Sequence, residues 1–229
     1  MVSAQAVKPP DLRMHSVQVS LFEHKTGQIV ERFNTSRKTV VASVVELAYR
    51  YQLPMAVEYA DRDATTRPLN LEFHNQSVRR ILEAIVRQAP QYRVSFSQGI
   101  VDIFSPKARG DASNLLNTAI KDFSVTEMET READFQLFCA FVHEVNSSGC
   151  AGSLAVGQWE PIRITVHLQH AKVYEVLNAI VAQNGKAIWT VTASPEKPSQ
   201  LQSGGIWYIY PLEQPFEATA LERLARVQR

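Results

Sequence analysis

The chain contains two related copies of one folding unit, and this repeat limits the possible folds more than any other feature. The segment QSVRRILEAIVRQ (residues 76–88) aligns without a gap with AKVYEVLNAIVAQ (residues 171–183), and six of the thirteen positions are identical. At the same offset of 95 residues, LNLEF (69–73) meets ITVHL (164–168). After an eleven-residue insertion in the second copy, IVDIFSP (100–106) meets IWYIYPL (206–212). Such similarity predicts two similar units in tandem.

The spacing of apolar residues assigns helices and strands to each copy. Apolar residues three and four apart predict a second helix in both copies, on the stripes Val78, Ile81, Leu82, Ile85, Val86 and Val173, Val176, Leu177, Ile180, Val181. The same criterion predicts first helices on Val41, Val44, Val45, Ala48 and on Phe135, Phe138, Phe141, Val142. Period-two strands precede each second helix, and a hairpin with Gly99 or Gly204-Gly205 in its turn follows it.

Each unit therefore has the predicted order β-α-β-β-α-β-β, an α+β fold in which two helices cover one face of a small mixed sheet. The polar, turn-forming segment PKARGDAS (106–113) separates the copies. The predicted organisation is a disordered or signal-derived start (1–11), a first domain (12–106), a linker (107–120), a second domain (121–215) and a C-terminal helix (216–229). Alternation around Lys25-Thr26-Gly27 predicts an additional hairpin over residues 17–33.

Charge and hydropathy exclude some classes of partner. The 24 Lys and Arg residues nearly balance the 23 Asp and Glu residues, which gives a formal net charge of +1. No long-range field favours a polyanion, so nucleic acid and anionic membranes are disfavoured. No apolar run approaches the roughly 18 residues of a membrane span.

The N-terminus and the two cysteines bear on the compartment. The start MVSAQAVKPP has small residues in an Ala-x-Ala arrangement before a proline-rich stretch, which is typical of the region around a signal-peptide cleavage site or of an ordinary disordered terminus. Cys139 and Cys150 lie eleven residues apart across a chain rich in Ser and Gly. They are candidates for a disulfide in an oxidising compartment, and buried free thiols are the alternative.

A metal site or a hydrolytic site is the alternative to a purely structural chain. Cys139 and His143 are spaced i, i+4 on a predicted helix, and His167 and His170 lie in the next element. The spacing fits no compact zinc module, and alternation places His167 away from the core. The sequence contains no nucleophile elbow and no phosphate loop. We therefore expect no enzyme activity, no bound metal and no cofactor.

Strand alternation also predicts a contact face on the second unit. If Trp189, Val191, Trp207 and Ile209 point to the helices, then their neighbours on these strands lie on the opposite face of the sheet. The predicted contact residues are Ile188, Thr190, Tyr208 and Tyr210. The alternative is that this face packs on the other domain or on the C-terminal helix. An open sheet edge that accepts an extended partner segment is a second binding mode.

The order of these signals resembles the secretin and TonB short N-terminal domain. The resemblance lies in a strand, a helix with a Leu-Ala step, a strand that ends in an aromatic residue, an L-x-L-x-F strand, a helix that begins at a Ser, and a closing hairpin. The matching residues are Phe33-Asn34, Val44–Ala48, Val57-Glu58-Tyr59, Leu69–Phe73, Ser77–Val86 and Tyr92–Phe104. The second copy departs from the pattern in its Phe-rich first helix and in the longer loop at 146–152.

The resemblance implies a non-catalytic interaction module in the periplasm or outside the cell, of the kind found in secretion channels and in TonB-dependent signalling receptors. It implies a protein partner from the envelope or from a secretion or transport system, and it leaves a homo-oligomer open. The hypothesis is therefore a secreted or periplasmic docking module built from two such domains. The alternative is a metal-dependent or hydrolytic enzyme that uses the region of Cys139, His143, His167 and His170.

Overall fold

The computed structural model describes residues 12–58, 67–146, 161–191 and 207–212. The predicted N-terminal remnant, the C-terminal helix, the Gly204-Gly205 turn, Tyr59 and Cys150 lie outside these residues. The described chain has an α+β fold, as the sequence predicts, and none of its helices is long and apolar enough to cross a membrane.

The described elements follow the predicted order, with one helix added before the first unit's strands and two short helical segments added before the second unit. The first unit consists of α1 (Leu12–Gly27), β1 (Ile29–Asn34), α2 (Val40–Tyr51), β2 (Met55–Val57), β3 (Glu72–Ser77), α3 (Val78–Val86), β4 (Arg93–Ser97) and β5 (Ile100–Phe104). A short helix α4 (Pro106–Gly110) and a 3₁₀ turn (Leu115–Asn117) lead to the second unit. That unit consists of β6 (Ala119–Glu129), α5 (Thr130–Asn146), β7 (Arg163–Lys172), α6 (Val173–Asn184), β8 (Ala187–Val191) and β9 (Trp207–Pro211). The predicted strand between its first helix and β7 falls outside the described residues.

The strand registers confirm the repeat. In the antiparallel pair β1–β3, Phe33 lies opposite Phe73, and in β6–β7 Phe123 lies opposite Leu168. Every pair of the β1–β3 ladder maps onto a pair of the β6–β7 ladder when 90 is added to the first residue and 95 to the second. The hairpin pairs of β4–β5 that have a described counterpart map onto β8–β9 with offsets of 95 and 106. The second offset reflects the eleven-residue insertion inferred from the alignment.

The two copies also share an unusual backbone conformation. Asn75 in β3 and His170 in β7, which are 95 residues apart, both have positive φ, at 50° and 52°. This left-handed conformation crowds the Cβ of an L-residue against the next carbonyl oxygen, although Asn and His tolerate it better than most residues. Because the conformation recurs at equivalent positions, it belongs to the fold that the two copies share.

Local sequence sets the helix ends. The hydroxyl of Thr39 accepts a hydrogen bond from the Ala42 N–H, and that of Ser77 accepts one from the Arg80 N–H, so both N-termini are capped. Gly185 ends α6 in the left-handed conformation, with φ of 72°. The turn between β4 and β5 places positive φ at Gln98 and Gly99, which matches the twist of a two-residue hairpin.

A single five-stranded sheet joins the two units. Its order is β4-β5-β2-β8-β9, and β2 pairs in parallel with β5 of its own unit and with β8 of the second unit. Met55 and Val57 face the first hydrophobic core with α2 and α3, whereas Ala56 faces the second core with α5 and α6. The sheet is therefore covered on opposite faces by the helices of the two units. The predicted domain boundaries stay a prediction, and the structure adds that a strand ladder crosses them.

Residues 17–33 do not form the predicted hairpin; α1 ends at Gly27 and only β1 is a strand. Within residues 18–27 of α1, the shielded positions have the three- and four-residue spacing of a helix face, and they are Gln18, Val19, Phe22, Lys25 and Thr26. Leu21, which completes the apparent alternation with Val19, is 52% exposed. The period-two pattern was wrong here because it counted apolar residues that do not share a buried face.

The predicted linker is also more ordered than its composition indicates. Ser105 caps α4, and the Asn117 side-chain amide nitrogen lies within hydrogen-bonding distance of three backbone carbonyls of the segment, those of Ala108, Arg109 and Asp111. Side-chain bonds of this kind fix turns that polar residues would otherwise leave mobile. The segment thereby holds Arg109 in one place.

The shared left-handed position gives a stability prediction. We expect His170→Gly to be more stable than His170→Ala by about 1 kcal/mol, because only glycine adopts this conformation without a steric penalty. At the adjacent Gln169, in ordinary strand conformation, the order should reverse, since glycine weakens a strand. Urea unfolding of the four variants measures both differences. Glycine and alanine ranking in the same order at both positions would contradict the assignment.

Candidate functional site

The predicted alternation on β8 and β9 holds. Trp189, Val191, Trp207 and Ile209 are all buried in the second core. The Trp189 indole N–H donates to Asn178 Oδ1 on α6 over 2.8 Å, and the Trp207 indole N–H donates to Asp134 Oδ1 on α5 over 2.8 Å. Both tryptophans therefore point to the second unit's helices, and the predicted contact residues lie on the other face.

The first unit covers half of that predicted contact face. Ile188 and Thr190 are 1% and 2% exposed, and Ile188 belongs to the first hydrophobic core. Because β2 brings its unit's helices over β8, these two side chains are not available to a partner in this structure. The outcome corresponds to the alternative in which the face packs on the other domain.

The two tyrosines lie further out, on β9. Tyr208 is 44% exposed, and its ring centroid lies 5.9 Å from that of Tyr210. Tyr210 is half-buried against the first core. Burial, together with the neighbouring Tyr208 and Tyr49 hydroxyls, raises the pKa of Tyr210 to about 12. Of the four predicted contact residues, Tyr208 is the most exposed to solvent.

The candidate metal ligands are not brought together. Cys139 is disulfide-bonded, and the chain's other cysteine, Cys150, lies outside the described residues. His167 is exposed, as the alternation predicts, and its Nδ1 lies 2.6 Å from Ser124 Oγ on β6. His170 lies on β7 and His143 lies on α5. In the residues that the structure describes, no group of three or more His, Cys, Asp or Glu side chains could hold a metal ion.

The structure also contains a buried charged cluster that the sequence pattern does not predict. Arg109 on α4 donates to Glu58 Oε1 over 2.6 Å and to both carboxylate oxygens of Asp102 over 2.8 Å. Glu58 and Asp102 are 3% and 6% exposed. The guanidinium lies between the Phe104 ring, 3.9 Å from its centroid, and the Tyr174 ring, at 4.2 Å. Such stacking suits the planar guanidinium.

The cluster connects elements of both units. Glu58 follows β2, Asp102 lies on β5 and Arg109 lies in the predicted linker. Asn178 on α6 donates to Asp102 Oδ2 over 3.1 Å while its own oxygen accepts the Trp189 indole N–H. A continuous polar chain thus runs from the linker through the centre of the sheet to the second core. The sequence signal for this cluster was Asp102, an acidic residue inside the apolar strand IVDIF, but the sequence did not indicate which residue would pair with it.

The single positive charge of Arg109 does not balance the two carboxylates, and burial determines the direction in which their pKa values shift. The Glu58 Oε2 atom is buried and has no hydrogen-bond partner among the residues that the structure describes. Desolvation therefore outweighs Arg109 and raises the pKa of Glu58 to about 7, and the charge of Asp102 contributes in the same direction. Desolvation also raises the pKa of Asp102 and, beside Trp207, that of Asp134 to about 6. The cluster fixes architecture and binds a proton near neutral pH.

The comparisons with known proteins give no relative: no family model, no curated protein and no solved structure matches this chain.

The buried carboxyls predict a pH dependence of stability. The folded protein holds a proton on Glu58 up to about pH 7, whereas the unfolded chain releases it near the ordinary value, so the free energy of unfolding falls as the pH rises between these values. We expect Glu58 to make the protein about 2 kcal/mol less stable at pH 8 than at pH 5.

Urea unfolding at both pH values, with wild type and Glu58→Gln, measures this contribution. The variant should lose most of the difference, because glutamine does not titrate. Glu72→Gln, on the exposed end of β3, is the matched control and should keep it. A Glu58→Gln protein with the full wild-type pH difference would contradict the assignment.

Proposed function

We propose that the protein is a non-catalytic docking module that binds another protein outside the cytoplasm. The observation that carries the proposal is the aromatic pair Tyr208 and Tyr210 on β9, an outer strand of the five-stranded sheet. Tyrosine is enriched in protein interfaces because its ring offers apolar area and its hydroxyl a hydrogen bond. Tyr208 is one of the three large apolar side chains that the described structure exposes, with Leu21 and Ile29.

The backbone of β9 supports the same site. The Leu212 N–H donates to the Lys186 carbonyl across the β8–β9 ladder. Because backbone groups alternate in direction along a strand, the N–H and C=O groups of Tyr208 and Tyr210 also face β8. The backbone groups of Trp207 and Ile209 consequently face away from β8. A partner at this strand meets exposed aromatic area on one face and backbone hydrogen-bonding groups at the edge.

Two observations favour an extracytoplasmic location. Cys139 is disulfide-bonded, and disulfides persist mainly in oxidising compartments. The element pattern of the first unit resembles the secretin and TonB short N-terminal domain, whose members act outside the cytoplasm. On this proposal the partner is a component of the cell envelope or of a secretion or transport system.

Site-specific crosslinking tests the proposed contact. We expect a photo-crosslinking amino acid at position 208 to give a discrete protein adduct in the cells that naturally produce the protein. The same amino acid at Gln169, exposed on β7, should give none. Equal adduct yields at both positions, or no adduct at position 208, would contradict the proposal.

Replacement of the same tyrosine separates binding from folding. Tyr208→Ser should change the free energy of unfolding by less than about 0.5 kcal/mol, because Tyr208 is an exposed residue outside both cores. It should also remove the adduct formed from a crosslinker placed elsewhere on the outer edge of β9. Tyr210→Ser is not an equivalent change, since Tyr210 packs on the first core. A Tyr208→Ser protein with an unchanged adduct would place the contact elsewhere.

A further inference from the structure

Among the strands that the structure describes, β4 lies at the end of the five-stranded sheet, and its outer edge carries backbone hydrogen-bonding groups that none of them pairs with. Val101 and Glu58 donate their N–H groups to the carbonyls of Pro54 and Ile103, so the backbone of Val101 and Ile103 faces β2. Backbone groups alternate in direction along a strand, so the N–H and C=O groups of Ile100 and Asp102 face β4. There they meet the backbone groups of Ser97 and Ser95, respectively. The N–H and C=O groups of Val94 and Phe96 therefore face away from the sheet, and no described strand pairs with them.

The repeat shows what the same edge does in the second copy. β8 is the counterpart of β4 at an offset of 95 residues, so Trp189 and Val191 correspond to Val94 and Phe96. The corresponding edge of β8 is occupied: β2 pairs with it in parallel, with Ala56 opposite Trp189. The edge of β4 is thus the equivalent of an edge that already accepts an extended, parallel strand within this molecule.

The side chains beside the β4 edge define the chemistry of its occupant. On one face, Val94 and Phe96 are partly buried against the first core, and the Arg79 guanidinium lies 4.4 Å from the Phe96 ring centroid. On the other face, Arg93 and Ser97 are exposed and Ser95 is partly exposed. An added strand would therefore place apolar side chains beside Val94 and Phe96 and acidic or polar ones beside Arg93.

We infer that the β4 edge binds an extended segment of a partner protein as a sixth strand, parallel to β4, with alternating apolar and acidic residues. The backbone supplies the hydrogen bonds and the two faces select the sequence. The inference does not involve Tyr208 or β9, so its failure leaves the proposed function standing. A second copy of the chain is the competing occupant.

A designed peptide tests the inference on the complete chain. The probe is a fluorescein-labelled heptapeptide of alternating valine and glutamate, and binding is followed by fluorescence anisotropy. We expect saturable binding, at least tenfold weaker binding of the valine–lysine version, and loss of binding when the peptide backbone is N-methylated at alternate residues. Equal binding of the N-methylated peptide would overturn the inference, because that peptide keeps its side chains but cannot form the ladder.

Variants of β4 complete the test. Val94→Pro removes an outward N–H, and an edge strand tolerates this change. It should weaken binding at least tenfold, whereas Val94→Thr, of similar shape and with its N–H intact, should bind like wild type. Unchanged near-ultraviolet circular dichroism verifies that both variants fold; if Val94→Pro does not fold, the N-methylated peptide decides the question with wild-type protein.

Two further measurements test the direction of the bound strand and the competing occupant, a second copy of the chain. A nitroxide at the peptide's N-terminus should broaden amide signals near Arg93, and one at its C-terminus those near Ser97, as a parallel strand requires. The reverse pattern would overturn the parallel arrangement. Sedimentation velocity that showed dimers in wild type and monomers in Val94→Pro would assign the edge to a second copy and overturn the inference.

Discussion

The three-residue strand β2 holds the described structure together. Met55, Ala56 and Val57 are almost completely buried, and the strand is hydrogen-bonded in parallel on both sides, to β5 of its own unit and to β8 of the other. Alternation sends Met55 and Val57 into one core and Ala56 into the other. Both cores and the sheet between them depend on these residues, so the two units share one sheet and are not independent domains.

The position of β2 explains where the copies have diverged. The first copy has Arg93, Ser95, Asp102 and Phe104 at the positions where the second has Ile188, Thr190, Tyr208 and Tyr210. In the second copy Ile188 lies in the first unit's core and Tyr210 packs against it, whereas Tyr208 is exposed. In the first copy this face holds Asp102, which anchors Arg109. A buried cluster of this kind is weak support for stability, but it defines one arrangement of the linker against the sheet.

Periodicity predicted what depends on local pattern. The strand alternation and the repeat reappear in the strand registers, three of the four predicted helical stripes are buried, and His167 is exposed as predicted. The stripe predicted on α5 was wrong in part: Phe141 is buried, but Ala133 and Leu137 are the other buried apolar residues of that helix, and Phe135 is only partly buried. Periodicity could not predict α1, because Val19 and Leu21 alternate by chance beside a helical face on Phe22 and Thr26. It also could not predict that β2 pairs across the repeat or that Arg109 reaches Glu58, since both contacts depend on how the units meet and not on either unit alone.

The most direct test of the shared sheet uses the position of the tryptophans. All three, Trp159, Trp189 and Trp207, lie in the sequence of the second unit, whereas Leu82 is completely buried in the first core. Leu82→Ala should cost about 2–5 kcal/mol in the first core. If β2 couples the units, urea unfolding followed by tryptophan fluorescence will show a midpoint lowered as much as the midpoint from far-ultraviolet circular dichroism. A tryptophan transition that does not move in this variant would show two independent domains and contradict the account.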